Sequence, residues 1–162
     1  RRSFITSRII LPPVKMNTLA DNATKQIKVL MAEDEPDVLS IMSKKVAAEG
    51  YTVLTARDGE EAWEKIRKES PDVIVLDLIM PKRNGFEVLR SVREQPTSTR
   101  WQPVIIVSAK RELEDLQEGY ALEADHYITK PCQIEDILRS IKLMIRLIPQ
   151  HKRPSASPEN KE

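Results

Sequence analysis

The sequence predicts an α/β domain built on a parallel sheet with helices on both faces. Short apolar runs alternate with amphipathic stretches five times between Ile27 and Ile148. Such alternation implies parallel strands joined by right-handed crossovers. The run Val73-Ile74-Val75-Leu76 is apolar at every position, as expected of a strand buried on both faces. Asp77 follows it directly, and a carboxylate there is costly without a compensating partner. Chemistry in such sheets gathers where the strands' carboxyl ends open into a crevice. Taken alone, Asp77 reads equally as a site acid or as a strand-end cap or ion pair.

The elements follow in order. Ile27–Met31 is strand-like and ends in the acidic group Glu33-Asp34-Glu35. Pro36-Asp37 opens a helix with Val38, Ile41, Met42 and Val46 at helical spacing, stopped by Gly50. Tyr51–Thr55 is the second strand, and Asp58 is a plausible N-cap for a helix carrying Ala62, Trp63 and Ile66. The third strand spans Asp72 to Asp77. Asn84-Gly85 leads into a helix with Phe86, Leu89 and Val92. A polar stretch from Gln95 to Gln102 reaches the fourth strand, Pro103–Ser108. A sparsely apolar helix from about Glu112 to Leu122 is expected to be the least firmly packed. His126–Thr129 is the fifth strand, and Ile134–Ile148 the last helix.

Composition bounds the rest. At 162 residues, 40% hydrophobic and 31% charged, the chain fits one globular domain with tails. A formal net charge of +1 gives no general pull toward nucleic acid or membrane. The single cysteine, Cys132, suits a reducing compartment, and the expected setting is cytoplasmic. No run approaches the roughly 20 apolar residues of a spanning helix. Residues 1–25 are expected to be a disordered or expression-derived extension, 26–148 the folded domain, and 149–162 a disordered polar tail. In residues 1–15, the run Ile9-Ile10-Leu11 ends at Pro12-Pro13, short of a signal-peptide core of about 7–15 apolar residues.

Four strand ends carry polar groups of shared chemistry: Glu33 with Asp34, then Asp77, Ser108 and Lys130. Parallel strands bring these ends to one edge. Three crowded carboxylates raise one another's pKa, and a hard cation such as Mg²⁺ relieves the repulsion. Lys130 and the Ser108 hydroxyl suit phosphoryl oxygens. The combination suggests a carboxylate nucleophile accepting a phosphoryl group.

Residues 27–148 resemble the receiver domain of two-component response regulators. The motifs that carry the resemblance are Glu33-Asp34-Glu35-Pro36, Asp77 with Met80-Pro81 and Gly85, Ser108-Ala109, and Tyr127-Ile128-Thr129-Lys130-Pro131. It implies a three-layer flavodoxin-like (βα)5 fold with a five-stranded parallel sheet in order 2-1-3-4-5, an order for which a chemotaxis member of this family is a standard example. It implies that Asp77 is a phospho-acceptor, fed by a sensor histidine kinase or a histidine phosphotransfer protein. The Mg²⁺ (or Mn²⁺) ligands it implies are Glu33, Asp34, Asp77 and the Ile79 backbone carbonyl. Ser108 and Lys130 would grip the phosphoryl group, Ser108 and Tyr127 would form the switch, and Lys130-Pro131 matches a bond commonly cis in the family. Glu33 stands where aspartate is more usual, and its extra methylene could shift that contact to a water-mediated one. Cys132 stands where an aromatic is frequent. The function implied is switching of a partner-binding surface, without enzymatic turnover of a separate substrate. The chain would be a stand-alone regulator or a receiver from a hybrid kinase or multidomain regulator.

Three other classes of function call for different residues. A phosphohydrolase with an aspartyl nucleophile needs a second acid near Asp77, where Leu78-Ile79 stands, and a cap insertion. A nucleotide-binding module needs a glycine-rich loop, and the chain has 4 glycines. A DNA-binding regulator needs a recognition helix, and no nucleic-acid partner is expected. Trp63 and Trp101 read as packing, and His126 lacks companion ligands. On the last helix Leu143, Met144 and Leu147 exceed the stripe one sheet face needs. They suggest a homodimer or partner surface shared with the preceding helix and fifth strand, or a face over which the tail or the N-terminal extension folds.

Overall fold

A computed structural model of the chain describes residues 26–109 and 124–147. The expectations for residues 1–25, the helix at 112–122, Ile148 and the 149–162 tail lie outside those residues. The five strands are β1 (Lys28–Ala32), β2 (Thr52–Ala56), β3 (Val73–Leu76), β4 (Val104–Ala109) and β5 (His126–Lys130). They form one parallel sheet in the order β2-β1-β3-β4-β5, the order expected from the sequence. The helices are α1 (Pro36–Ala48), α2 (Gly59–Glu69), α3 (Gly85–Glu94) and α4 (Ile134–Leu147).

Period-two alternation divides the strand side chains between two cores. Leu30, Ile74, Leu76, Val104 and Ile106 pack against α2 and α3 through residues such as Ile66 and Leu89. Val29, Val73, Val75, Ile105 and Val107 face the other way, onto α1 and α4. All four β3 side chains are buried; each contributes roughly 1.5–3 kcal/mol by leaving water.

The ends of the helices follow local chemistry. Pro36 opens α1, and Gly50, at φ 94°, turns the chain away after it. Asp58 caps α2 as predicted, accepting from the Glu61 N–H at 2.8 Å. Asn84 and Glu87 form a reciprocal capping box on α3. β1, β2, β4 and β5 run one residue further than the apolar pattern suggested, because the ladder continues through Ala32–Ala56 and Ala109–Lys130, whereas β3 covers only Val73–Leu76 of the expected Asp72–Asp77. Ser108 therefore lies within β4, one residue before its end.

Met144 is a correction to the predicted surface stripe. It is buried, together with Ile137, Ser140 and Ile141, and belongs to the α1-side core. Leu147 packs partly against the same core, so Leu143, 45% exposed, is the residue of the three that faces solvent. The buried face runs along the 137-140-141-144 line and includes the small polar Ser140, which a count of apolar residues passes over. Trp63 is buried as predicted. Trp101 donates its indole N–H to Asp125 Oδ1 at 2.8 Å and lies beneath the Arg93 guanidinium, 4.2 Å from the ring centroid.

Candidate functional site

The parallel sheet delivers the predicted acids to one edge. Glu33 and Asp34 follow β1, and Asp77 follows β3. The Asp77 N–H donates to the Ala32 carbonyl at 3.0 Å and the Glu33 N–H to the Ala56 carbonyl at 3.1 Å. Both acids are thus tied to the sheet by their own backbone. Glu33 and Asp77 are buried, whereas Asp34 is exposed. One carboxylate oxygen from each of the three lies within 4.8 Å of the others.

Lys130, at the end of β5, closes the group. Its ammonium lies 2.5 Å from Asp77 Oδ2 and 2.9 Å from Glu33 Oε2. Asp77 Oδ1 accepts from the Ile79 N–H at 3.1 Å, and Glu33 Oε1 from the Glu35 N–H at 3.3 Å. Burial pushes the Glu33 carboxyl above its ordinary value, and repulsion from Asp77 adds to this; the Lys130 ammonium works against both. For Lys130 itself, burial disfavours the charge. Its hydrogen bonds to Asp77 and Glu33 outweigh that and hold its pKa above the usual lysine range. An all-oxygen set of three carboxylates, two of them buried, suits a hard divalent cation better than a soft metal.

Ser108 and Tyr127 occupy neighbouring strands. Ser108 is fully buried and pairs in register with Thr129, and Tyr127 pairs with Ile106. By alternation Ser108 shares the sheet face of Val104 and Ile106, the face on which the half-buried Tyr127 packs. Burial raises the Tyr127 phenol, partly offset by a hydrogen bond from the Ala124 backbone. Ile79 is 57% exposed beside the acids. Lys130-Pro131 is cis, matching the bond the resemblance implies.

Two features had no local signal. Asp125 gathers Arg93 (2.7 Å), the Trp101 indole and the Val104 N–H (2.7 Å) around one carboxylate just before β5. Lys82 reaches Asp58 at 2.7 Å, so the predicted cap has a second partner far away in the sequence.

A parallel sheet that presents three acids and a lysine at its carboxyl edge defines a class of signalling domain, the phospho-accepting receivers of two-component systems. The chain belongs to the response regulator receiver domain family, whose profile matches residues 29–142. Members of this family are phospho-acceptors rather than enzymes, and response regulators work with histidine kinases. The chain is 37% identical over 119 residues to the alkaline phosphatase synthesis transcriptional regulatory protein PhoP of Bacillus subtilis, covering 74% of this chain and 48% of that protein. It is 35% identical over 123 residues to the response regulator ArlR of Staphylococcus aureus, covering 76% and 54%. The chain thus spans about half the length of the curated relatives it matches.

Among solved structures, the receiver domain of the Francisella response regulator 1452 superposes with a TM-score of 0.66 at 33% identity, covering 75% of this chain and 98% of that one. The response regulator TrrA of Thermotoga maritima, solved in complex with Mg²⁺-BeF, gives 0.64 at 26%, covering 74% and 99%. No helix among the described residues is long and apolar enough to cross a membrane.

Proposed function

We propose that the chain, through a receiver domain at 26–148, takes a phosphoryl group from a histidine kinase or histidine phosphotransfer protein onto Asp77 and thereby switches a partner-binding surface. The observation that carries this reading is the buried Asp77 carboxylate, with the Lys130 ammonium at 2.5 Å and oxygens of Glu33 and Asp34 within 4.8 Å. An Asp77 oxygen attacks the phosphorus in line. The phosphorus–nitrogen bond of the donor phosphohistidine breaks, and its electron pair returns to the imidazole, which takes up a proton.

Mg²⁺, or Mn²⁺, would be held by Glu33, Asp34, Asp77 and the Ile79 carbonyl; when bound it supplies positive charge against the phosphoryl oxygens. Lys130 holds a fixed positive charge beside the attacked position and moves its contacts from Asp77 and Glu33 toward those oxygens. The product acyl phosphate carries about −2 charge. Ser108 donates its hydroxyl to the phosphoryl group, and Tyr127, on the same sheet face, follows by turning inward. The homodimer surface expected on the last helix reduces to Leu143 and the partly packed Leu147. The reading places the chain in the cytoplasm, consistent with its single cysteine.

A second reading takes the chain as the receiver portion of a larger regulator, favoured by its span of about half of each relative. Incubation with acetyl phosphate and Mg²⁺, followed by intact mass, tests the site. The parent should gain one phosphoryl group and Asp77→Asn none. Absence of gain in the parent, or equal gain in the variant, overturns the assignment. Size measurement of the same samples tests the α4 surface, since a homodimer should appear only on phosphorylation and be lost in Leu143→Asp.

A further inference from the structure

The loop between Asp77 and Gly85 is held from outside by the first turn of α2. Lys82 sits in the left-handed region at φ 64°, uncommon for a residue with a side chain. Its ammonium reaches Asp58 Oδ2 at 2.7 Å, while Asp58 Oδ1 accepts from the Glu61 N–H at 2.8 Å. One carboxylate therefore both starts α2 and grips the loop. The next residue adds a second hold. A Cβ on Gly59 would lie 1.7 Å from the Arg83 carbonyl oxygen, so that carbonyl occupies the space a side chain would need. The Arg83 guanidinium stacks over Trp63, 5.3 Å from the ring centroid, and donates to the Ser91 hydroxyl.

Inside this clamp the same loop supplies the backbone beside Asp77. The Ile79 N–H donates to Asp77 Oδ1 at 3.1 Å, and the Gly85 N–H returns to the Leu78 carbonyl at 2.9 Å. A left-handed lysine persists where its surroundings over-determine it. The Asp58 pair and the Arg83 packing provide that constraint here.

We propose that Lys82 and Asp58 are positioning residues for Asp77: their ion pair fastens the loop to α2 and keeps the Ile79 backbone aligned with the Asp77 carboxylate. The proposal rests on the reading of Asp77 as the phospho-acceptor. The Lys82 ammonium, raised by Asp58, and the Asp58 carboxyl, lowered first by Lys82 and then by the Glu61 N–H, keep the pair charged near neutrality.

Two substitutions separate positioning from simple support of the fold. Lys82→Gly removes the ammonium but favours the left-handed backbone, so it leaves global stability unchanged or higher. Lys82→Met removes the ammonium and keeps the strain. In both, the Ile79 amide should exchange about 1.5- to fivefold faster, the range an ion pair with one exposed partner supplies, while Val75 in β3 is unchanged. The initial rate of phosphoryl uptake from acetyl phosphate with Mg²⁺ should fall in both, and Lys82→Arg should restore both readouts. Unchanged exchange at Ile79 overturns the proposal, as does a phosphorylating parent whose Lys82→Gly and Lys82→Met variants keep its rate. The exchange measurement decides the clamp even if the parent takes up no phosphoryl mass, an outcome that instead overturns the acceptor reading.

Discussion

The Cα of Gly85 rests on the backbone carbonyl of Asp77, so closely that a Cβ there would lie 2.0 Å from the oxygen. The residue that starts α3 thus packs against the residue that follows the central strand. Gly85→Ala must push the two backbones apart. The expected loss is about 1–3 kcal/mol, the usual range for overpacking, read from the urea midpoint. Asp77 chemistry should weaken in parallel, because the displaced loop carries Ile79.

Lys130 offsets two buried carboxylates at once. Lys130→Met leaves Glu33 and Asp77 facing each other with no cation between them. Breaking a fully buried pair costs about 3–5 kcal/mol, but the Lys130 side chain is 33% exposed, so a loss of roughly 1–3 kcal/mol is expected. Added Mg²⁺ should then raise the melting temperature of the variant more than that of the parent. Equal shifts would show that the acids do not share one cation.

Glu33 and Asp58 should bend the pH dependence of stability in opposite directions in metal-free buffer. Glu33 is raised above its ordinary 4.5, so the folded chain holds that proton more tightly than the unfolded one. Its stabilising contribution is complete below 4.5 and is lost as pH rises through the raised value. Asp58 is lowered from 3.8, so its contribution is present above 3.8 and is lost as pH falls through the lowered value. Glu33→Gln should flatten the first trend and Asp58→Asn the second, in urea titrations between about pH 3 and 7.

Adjacent residues on α4 should respond very differently. Met144→Ala opens a cavity in the α1-side core and should cost about 2–5 kcal/mol. Leu143→Asp alters an exposed position and should stay within about 0.5 kcal/mol. Comparable losses would contradict the burial of Met144.

The strands were legible because their signal is local. Val73–Leu76 is apolar throughout and is buried throughout, and the caps Asp58 and Asn84 act on amides three residues away. Glu33, Asp34, Asp77 and Lys130 were legible as a group because parallel topology alone sends strand ends to one edge. The Lys82–Asp58 pair and the Asp125 cluster were not, since they join residues 24 and 32 positions apart without a pattern between them. Met144 was misplaced because counting apolar residues on a helix ignores a buried serine. Ser140 takes a core position beside Ile137, Ile141 and Met144.

The close approaches at Gly59 and Gly85 also say something about chain length. Surface loops usually accept insertions at little thermodynamic cost. The stretch from Asp77 to Gly85 is anchored at both ends and once in between, so one added or deleted residue would break an anchor somewhere. It behaves as a ruler rather than a tether. Natural or designed variation in length should therefore avoid this stretch and collect in connections such as the one between α3 and β4.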